Sequence, residues 1–161
     1  RCFMVSTLSA TKSISNGKVL TSVSFGSEGE AGAFILSVMN SVKYAKLGSP
    51  QAISQKEEPT IRHPRDVRKV LLSANASNLP AFDTALSLNA GVFDSLATVR
   101  NYFAHRNHDT WRKFKNRAQS SGIFSVKRPE DFLNSRVRGL PLTVLDDWLD
   151  DTSIFFEYAM Q

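Results

Sequence analysis

The chain has 161 residues, 42% of them hydrophobic, which favours a single globular domain with a sizeable core. No hydrophobic run approaches the roughly 18–20 residues that cross a bilayer, so we expect neither a membrane span nor a secretory signal. Cys2 is the only cysteine, which excludes an internal disulfide and a cysteine-based zinc site. We therefore expect a protein of the reducing cytoplasm.

The net charge of +5 is unevenly distributed along the chain. Between Arg100 and Arg138 there are ten Lys and Arg residues against three acids, whereas from Gly139 onward there are five acids and no Lys or Arg. Such polarity favours the binding of a polyanion to the basic region. A solvated basic face without a ligand explains the charge alone equally well.

The first predicted elements lie before residue 50. A turn signal at Asn16-Gly17 predicts a short hairpin that pairs Cys2–Leu8 with Val19–Phe25. Ser27 and Glu30 then form an S-x-x-E capping box. It precedes one predicted helix, whose apolar residues at helical spacing are Ala31, Phe34, Ile35, Val38, Val42 and Ala45.

The middle of the chain predicts two further helices. Gly48 and Pro50 end the preceding helix, and residues 49–62 form a polar loop. Pro64 is well suited to the first position of a helix that continues to Ala74. A short helix follows from about Pro80 to Leu88.

The C-terminal half contains the longest apolar stripes. Val92, Leu96, Val99 and Phe103 predict one buried stripe of a helix. A basic helix from about Asp109 to Ala118 and a short turn around Glu130–Asn134 follow. Thr143 and Asp146 then cap a last helix. Its predicted buried face comprises Leu145, Trp148, Leu149, Thr152, Phe155, Phe156 and Ala159.

These elements predict an all-α fold, a bundle of about five helices with or without a small N-terminal β-hairpin. We expect residues 1–161 to form one domain, in which residues 1–26 are a hairpin or an extension.

The three histidines limit the search for chemistry. His63 precedes Pro64 at a helix start and is interpreted as a surface or capping residue. His105, His108 and Asp109 together offer too few ligands for a metal, and neighbouring arginines repel a divalent cation. We therefore predict no metal and no cofactor.

One string remains, Val99-Arg100-Asn101-Tyr102-Phe103-Ala104-His105. Asn101 and His105 are four residues apart and share a helix face, opposite the predicted buried stripe. Arg100 starts about 140° away from His105 around an ideal helix, although its long side chain can swing toward the polar face.

This string resembles the R-x4–6-H motif of the HEPN superfamily, with Arg100, a polar Asn101 and His105 near the end of a core helix. The apolar helix before the motif and the amphipathic helix closing the chain also fit. Toxins of this superfamily that are silenced by adenylylation carry Tyr two residues after the His. Asn107 stands there, so that mode of control is not supported.

The resemblance implies a metal-independent endoribonuclease, a homodimer whose active site combines both chains. His105 would exchange protons with the ribose 2′-hydroxyl and the leaving 5′-oxygen, Arg100 would neutralise charge on the phosphate, and Asn101 would orient the imidazole. The implied products are 2′,3′-cyclic phosphate and 5′-hydroxyl ends. A role as a toxin or defence effector, with an antitoxin or regulatory domain as partner, is also implied.

The basic residues near the motif predict a surface that binds the RNA backbone, an inference from charge and not from the motif. The predicted substrate-binding residues are Arg106, Arg112, Lys113, Lys115 and Arg117. Two alternatives stay open at this point. In the first, the chain is a non-catalytic HEPN-like dimerisation or accessory module. In the second, it is a basic helical domain that binds nucleic acid without cutting it.

Overall fold

A computed structural model describes residues 25–89, 91–136, 139 and 141–159 of the chain. Within these ranges the fold is all-helical, as predicted, with one isolated bridge between Arg136 and Thr143 and no strand. The predicted hairpin lies outside the described residues, except for Phe25. The described ranges contain eight helices: α1 Glu28–Met39, α2 Ser41–Lys46, α3 Pro64–Ser73, α4 Leu79–Asn89, α5 Gly91–His105, α6 His108–Ser120, α7 Pro129–Leu133 and α8 Val144–Ala159.

The described residues divide into two compact units, residues 25–84 with Ala159 and residues 85–158. In the first unit, α1 packs on α3 through Ala31, Ile35, Val70 and Ala74. The Arg68 guanidinium donates two hydrogen bonds to the Asp83 carboxylate, at 2.6 and 2.9 Å. This pair ties α3 to the first turns of α4.

Helix starts in the first unit follow the local sequence. Ser27 caps α1 by accepting a hydrogen bond from the Glu30 amide, while the Glu30 carboxylate accepts one from the Gly26 amide. His63 is the N-cap of α3, and its Nδ1 accepts a hydrogen bond from the Arg65 amide at 3.0 Å. The predicted capping role of His63 is confirmed.

The prediction of one helix through Ala45 is wrong, because α1 ends at Met39 and α2 begins at Ser41, with Asn40 between them. Asn40 leaves helical geometry (φ −153°, ψ 76°), and its side chain accepts a hydrogen bond from the Lys43 amide. An Asn side chain competes for backbone amides in this way and starts a new helix. Val42, predicted to be on the buried stripe, is exposed.

The second unit is built around a continuous aromatic cluster. Phe114 contacts Trp111 by stacking and Phe132 edge-on, with ring centroids 5.4 and 5.5 Å apart. Phe132 in turn meets Trp148 edge-on at 5.6 Å. Val92 and Val99 of α5 complete this core, so α5, α6, α7 and α8 share one hydrophobic centre.

The buried face of α5 differs from the predicted stripe. Val92 and Val99 are buried, but Leu96 and Phe103 are 38% and 40% exposed, whereas Ser95 is 1% exposed. The buried face is therefore turned by roughly 50° around the helix, toward Ser95 and Tyr102. The cause is α6, whose Trp111 and Phe114 rings contact Tyr102.

Helix α8 shows the same kind of shift. Val144, Trp148, Phe155 and Ala159 are buried. The prediction was too wide, because three members of the predicted face are exposed: Leu145, Leu149 and Phe156. The cap is confirmed, since the Thr143 hydroxyl and amide both donate to the Asp146 carboxylate and the Asp146 amide donates to Thr143.

Candidate active site

The last three turns of α5 carry the polar flank of the predicted motif. Thr98, Asn101 and His105 are spaced i, i+3 and i+7, which places them on one side of the helix. Asn101 and His105 are exposed, and Thr98 is half-buried. Val99, on the side facing the core, is buried. Helix α5 therefore presents its histidine to solvent while its other side is fixed by packing.

A tight turn brings α6 back alongside this flank. Arg106 adopts a left-handed conformation (φ 41°), and Asn107 then caps α6 in a reciprocal capping box with Thr110. The Asn107 side chain accepts from the Thr110 amide at 2.9 Å, and the Asn107 amide donates to the Thr110 hydroxyl at 3.2 Å. The direction of α6 relative to His105 is thereby fixed by local hydrogen bonds.

A shallow surface depression of about 270 Å³ lies between the two helices. It adjoins the turn that connects the two helices, and we call it the open end of the α5–α6 hairpin because its residues face solvent. It is lined by Thr98, Asn101, His105, Thr110 and Lys113. Three predicted site residues therefore share one surface: Asn101, His105 and Lys113. Asn101 and His105 line the same depression, but among the described residues no hydrogen bond joins the Asn101 amide to the His105 imidazole.

The end of the same hairpin that is farthest from the connecting turn is held together by hydrogen bonds, and we call it the closed end. It consists of Gly91, Ser95 and Arg117. The Arg117 guanidinium donates from Nε to the Ser95 hydroxyl at 2.7 Å and from Nη2 to the Gly91 carbonyl at 3.4 Å. The Ser95 hydroxyl donates to the Gly91 carbonyl at 3.1 Å. Arg117, predicted to bind RNA, therefore holds the two helices together, which leaves its guanidinium little freedom for a phosphate.

The cations of α6 are not equivalent to one another. Asp109 accepts from Arg112 through Oδ1 at 2.8 Å and from Lys113 through Oδ2 at 2.7 Å. The hydrogen bond from Lys113 is the largest cause that lowers the pKa of Asp109 below its ordinary value. In the part of the chain that the structure describes, Lys115 has no ion pair, and it is exposed.

Arg100 lies on the other flank of α5. It is exposed, and its neighbours one turn away on the same side are the exposed apolar residues Leu96 and Phe103. Helical geometry separates Arg100 from His105 by about 140° around the axis. Arg100 and Arg106 do not line the open end. The structure of one chain therefore brings His105 and Asn101 together and leaves Arg100 apart.

Neither a cluster of metal-binding side chains nor a bilayer-spanning helix is found among the described residues. No group of three or more His, Cys, Asp or Glu side chains within them is placed to hold a metal ion. No helix within the described ranges combines the length and apolar character that spanning a bilayer requires.

Two residues of the open end were missed by sequence reasoning, Thr98 and Thr110. The i, i+3, i+7 spacing of Thr98 with Asn101 and His105 is a signal that could have identified it. Thr110 lines the depression at the start of α6, where it forms the capping box with Asn107. The N-x-x-T pattern is the sequence signal that could have predicted this cap.

Comparisons with known proteins add no family assignment. No family model matches this chain, and neither a curated protein nor a solved structure matches it at a significant level.

Proposed function

We propose that this chain is a metal-independent endoribonuclease of the HEPN type, acting as a homodimer in the cytoplasm. The observation that carries the proposal is the position of His105. It is exposed in the last turn of α5 and lines a depression formed by Thr, Asn, His and Lys residues, while Val99 on the same helix is buried in the core. A rigid helix with an accessible imidazole at its end is a suitable support for proton transfer.

The motif resemblance implies a reaction that uses two imidazoles and the 2′-hydroxyl of the RNA. The ribose 2′-oxygen attacks the adjacent phosphorus and gives its proton to a neutral imidazole, His105 of one chain. The bond from phosphorus to the 5′-oxygen breaks, and that oxygen takes a proton from an imidazolium, the His105 of the second chain. The products are a 2′,3′-cyclic phosphate and a 5′-hydroxyl, and no redox partner or metal enters the balance.

Arg100 requires the second copy in this scheme. Its distance around the helix from His105 favours a site in which the Arg100 of each chain acts beside the His105 of the other chain. The guanidinium then neutralises charge that develops on the phosphate oxygens. Leu96 and Phe103, exposed on either side of Arg100, supply apolar surface for a contact between copies.

The RNA backbone is held by exposed cations of α6. Lys113 lines the open end and Lys115 is exposed on the same helix. Binding through such residues releases counterions and weakens as salt rises. A role as a toxin or defence effector, controlled by an antitoxin or another regulatory partner, follows from the motif resemblance alone.

The test is RNA cleavage in excess EDTA by the wild-type chain, beside Arg100→Ala and His105→Ala. We expect cleavage by the wild type only, cyclic-phosphate ends, and no cleavage of DNA of the same sequence. Activity that EDTA abolishes contradicts the mechanism. RNA binding without scission identifies a nucleic-acid-binding domain, and a dimer that neither binds nor cuts RNA identifies an accessory module.

The proposed interface is tested separately by Leu96→Glu. A charge placed in the contact between copies costs binding free energy, so we expect a shift from dimer to monomer in light scattering. Cleavage should fall with it and recover partly as protein concentration rises. Leu72→Glu, a change at an exposed leucine of α3, is the matched control and should leave both unchanged. A Leu96→Glu dimer as stable as the wild type contradicts this interface.

A further inference from the structure

The four cations of α6 divide into three groups by what their side chains contact. Arg117 is bound to α5 at the closed end. Arg112 and Lys113 share the Asp109 carboxylate. Within the described ranges, Lys115 alone among the four has no such contact. An RNA backbone that reaches this helix therefore meets one unpaired cation and two cations that already hold an anion.

The Asp109 carboxylate contacts Arg112 and Lys113 in the way that a bound anion would. Each carboxylate oxygen receives one cation, Oδ1 from Arg112 at 2.8 Å and Oδ2 from Lys113 at 2.7 Å. Two anionic oxygens of a phosphate group bind guanidinium and ammonium groups through the same charge-assisted hydrogen bonds. Lys113 also lines the depression with His105, so this contact lies at the edge of the candidate active site.

We propose that Asp109 competes with the phosphate groups of bound RNA for Lys113 and Arg112 and so limits the RNA affinity of the open end. The inference rests on the proposed function, since it takes RNA as the ligand. Asp109 is here a regulator of binding and has no part in the cleavage step.

The competition operates at neutral pH. The hydrogen bond from Lys113 lowers the pKa of Asp109, so the carboxylate stays ionised wherever RNA is stable. All three side chains are largely exposed, and exposed ion pairs open at little cost. RNA can therefore displace the carboxylate, and the displaced charge remains close enough to repel the phosphate chain.

The experiment measures binding of a short, fluorescein-labelled single-stranded RNA of mixed sequence by anisotropy. All proteins carry His105→Ala, which keeps the RNA intact. Asp109→Asn is compared with Asp66→Asn, a neutralised aspartate in the first turn of α3 that pairs with Lys69. Both changes alter the net charge equally, so a general effect of net charge on RNA binding is the same in the two proteins. Asp109→Ser is a second variant in case Asp109→Asn does not fold.

We expect Asp109→Asn to tighten RNA binding by about three- to tenfold at low salt, with no such gain for Asp66→Asn. Two freed cations should also steepen the dependence of log affinity on log salt by about 1.4, at roughly 0.7 for each phosphate on a single strand. Lys113→Gln should cost more affinity in the Asp109→Asn background than alone, because Lys113 is then unpaired.

Two results overturn the inference: Asp109→Asn binds RNA no better than Asp66→Asn, or the His105→Ala protein does not bind the probe at all. The outcome is separable from that of the proposed function. Tighter binding by Asp109→Asn together with a wild type that cuts no RNA contradicts the ribonuclease and leaves the competition standing. Cleavage by the wild type with no gain from Asp109→Asn removes the competition alone.

Discussion

The two ends of the α5–α6 hairpin use polar residues in opposite ways. At the closed end, Ser95 is buried and its hydroxyl is bonded on both sides, to Arg117 and to Gly91. At the open end, Asn101 and His105 are exposed and line a depression. Polar groups that satisfy one another stabilise a helix pair, whereas exposed groups on a fixed backbone remain available to a ligand.

Substitutions at the two ends should therefore impair different properties, RNA cleavage at the open end and stability at the closed end. Changes at Asn101 and His105, the exposed residues of the open end on α5, should reduce RNA cleavage and leave folding intact, because exposed side chains contribute little to stability. Changes at the closed end should reduce stability and leave the chemistry intact in the molecules that remain folded. A residue that affects both properties equally breaks this division.

The largest expected effect is that of His105→Ala. Loss of a general acid–base group lowers the rate by about 10²–10⁴-fold, and the exposed position predicts a change in unfolding free energy within about 0.5 kcal/mol. Single-turnover cleavage and thermal melting measure the two. His108→Ala, at an exposed histidine outside the depression, is the control and should cut at the wild-type rate. Equal losses for both variants contradict the assignment of His105.

Arg100→Ala comes next, with an expected loss of about 10²–10³-fold in cleavage rate, the usual cost of removing one group that stabilises a developing anion. Arg100→Lys should restore part of the rate, since it keeps the charge and loses the forked pair of donors. Both rates are measured at saturating protein, where dimer formation does not limit them. An Arg100→Ala protein as fast as the wild type removes Arg100 from the reaction.

The smallest effect is expected at the closed end. Ser95→Ala removes the hydroxyl between Arg117 and Gly91, which should cost about 1–2 kcal/mol of unfolding free energy in a denaturant titration. Ser120→Ala, whose exposed hydroxyl donates to the Arg117 carbonyl, is the control and should change it by less than about 0.5 kcal/mol. Cleavage per folded molecule should stay at the wild-type rate. A Ser95→Ala protein that is fully stable but slow in cleavage reverses the roles of the two ends.

The parts of the fold that the sequence predicted are those decided within one helical turn. The caps at Ser27, His63 and Thr143 each depend on amides two or three residues away, so their short patterns were sufficient. Asn40 follows the same chemistry. It was overlooked because the apolar spacing continues through it, and its side chain nevertheless starts a second helix.

The parts that escaped prediction depend on residues distant in sequence. Ser95 meets Arg117 across 22 positions, and only packing with α6 decides that α5 buries Ser95 in place of Leu96. Likewise, the exposure of Asn101 and His105 followed from their spacing, but the depression required the turn at Arg106 and Asn107. Periodicity predicts that a helix has a buried face, whereas the width and the rotation of that face are set by the neighbouring helices.

The central claim is that His105 serves an attack by the ribose 2′-hydroxyl with no metal involved. The most direct measurement maps the main cut in a defined RNA and then repeats the reaction in EDTA with a single 2′-deoxy nucleotide 5′ to that bond. We predict that cleavage stops at this bond alone and continues elsewhere. Undiminished cleavage at the 2′-deoxy position contradicts the mechanism, because no internal nucleophile is then present.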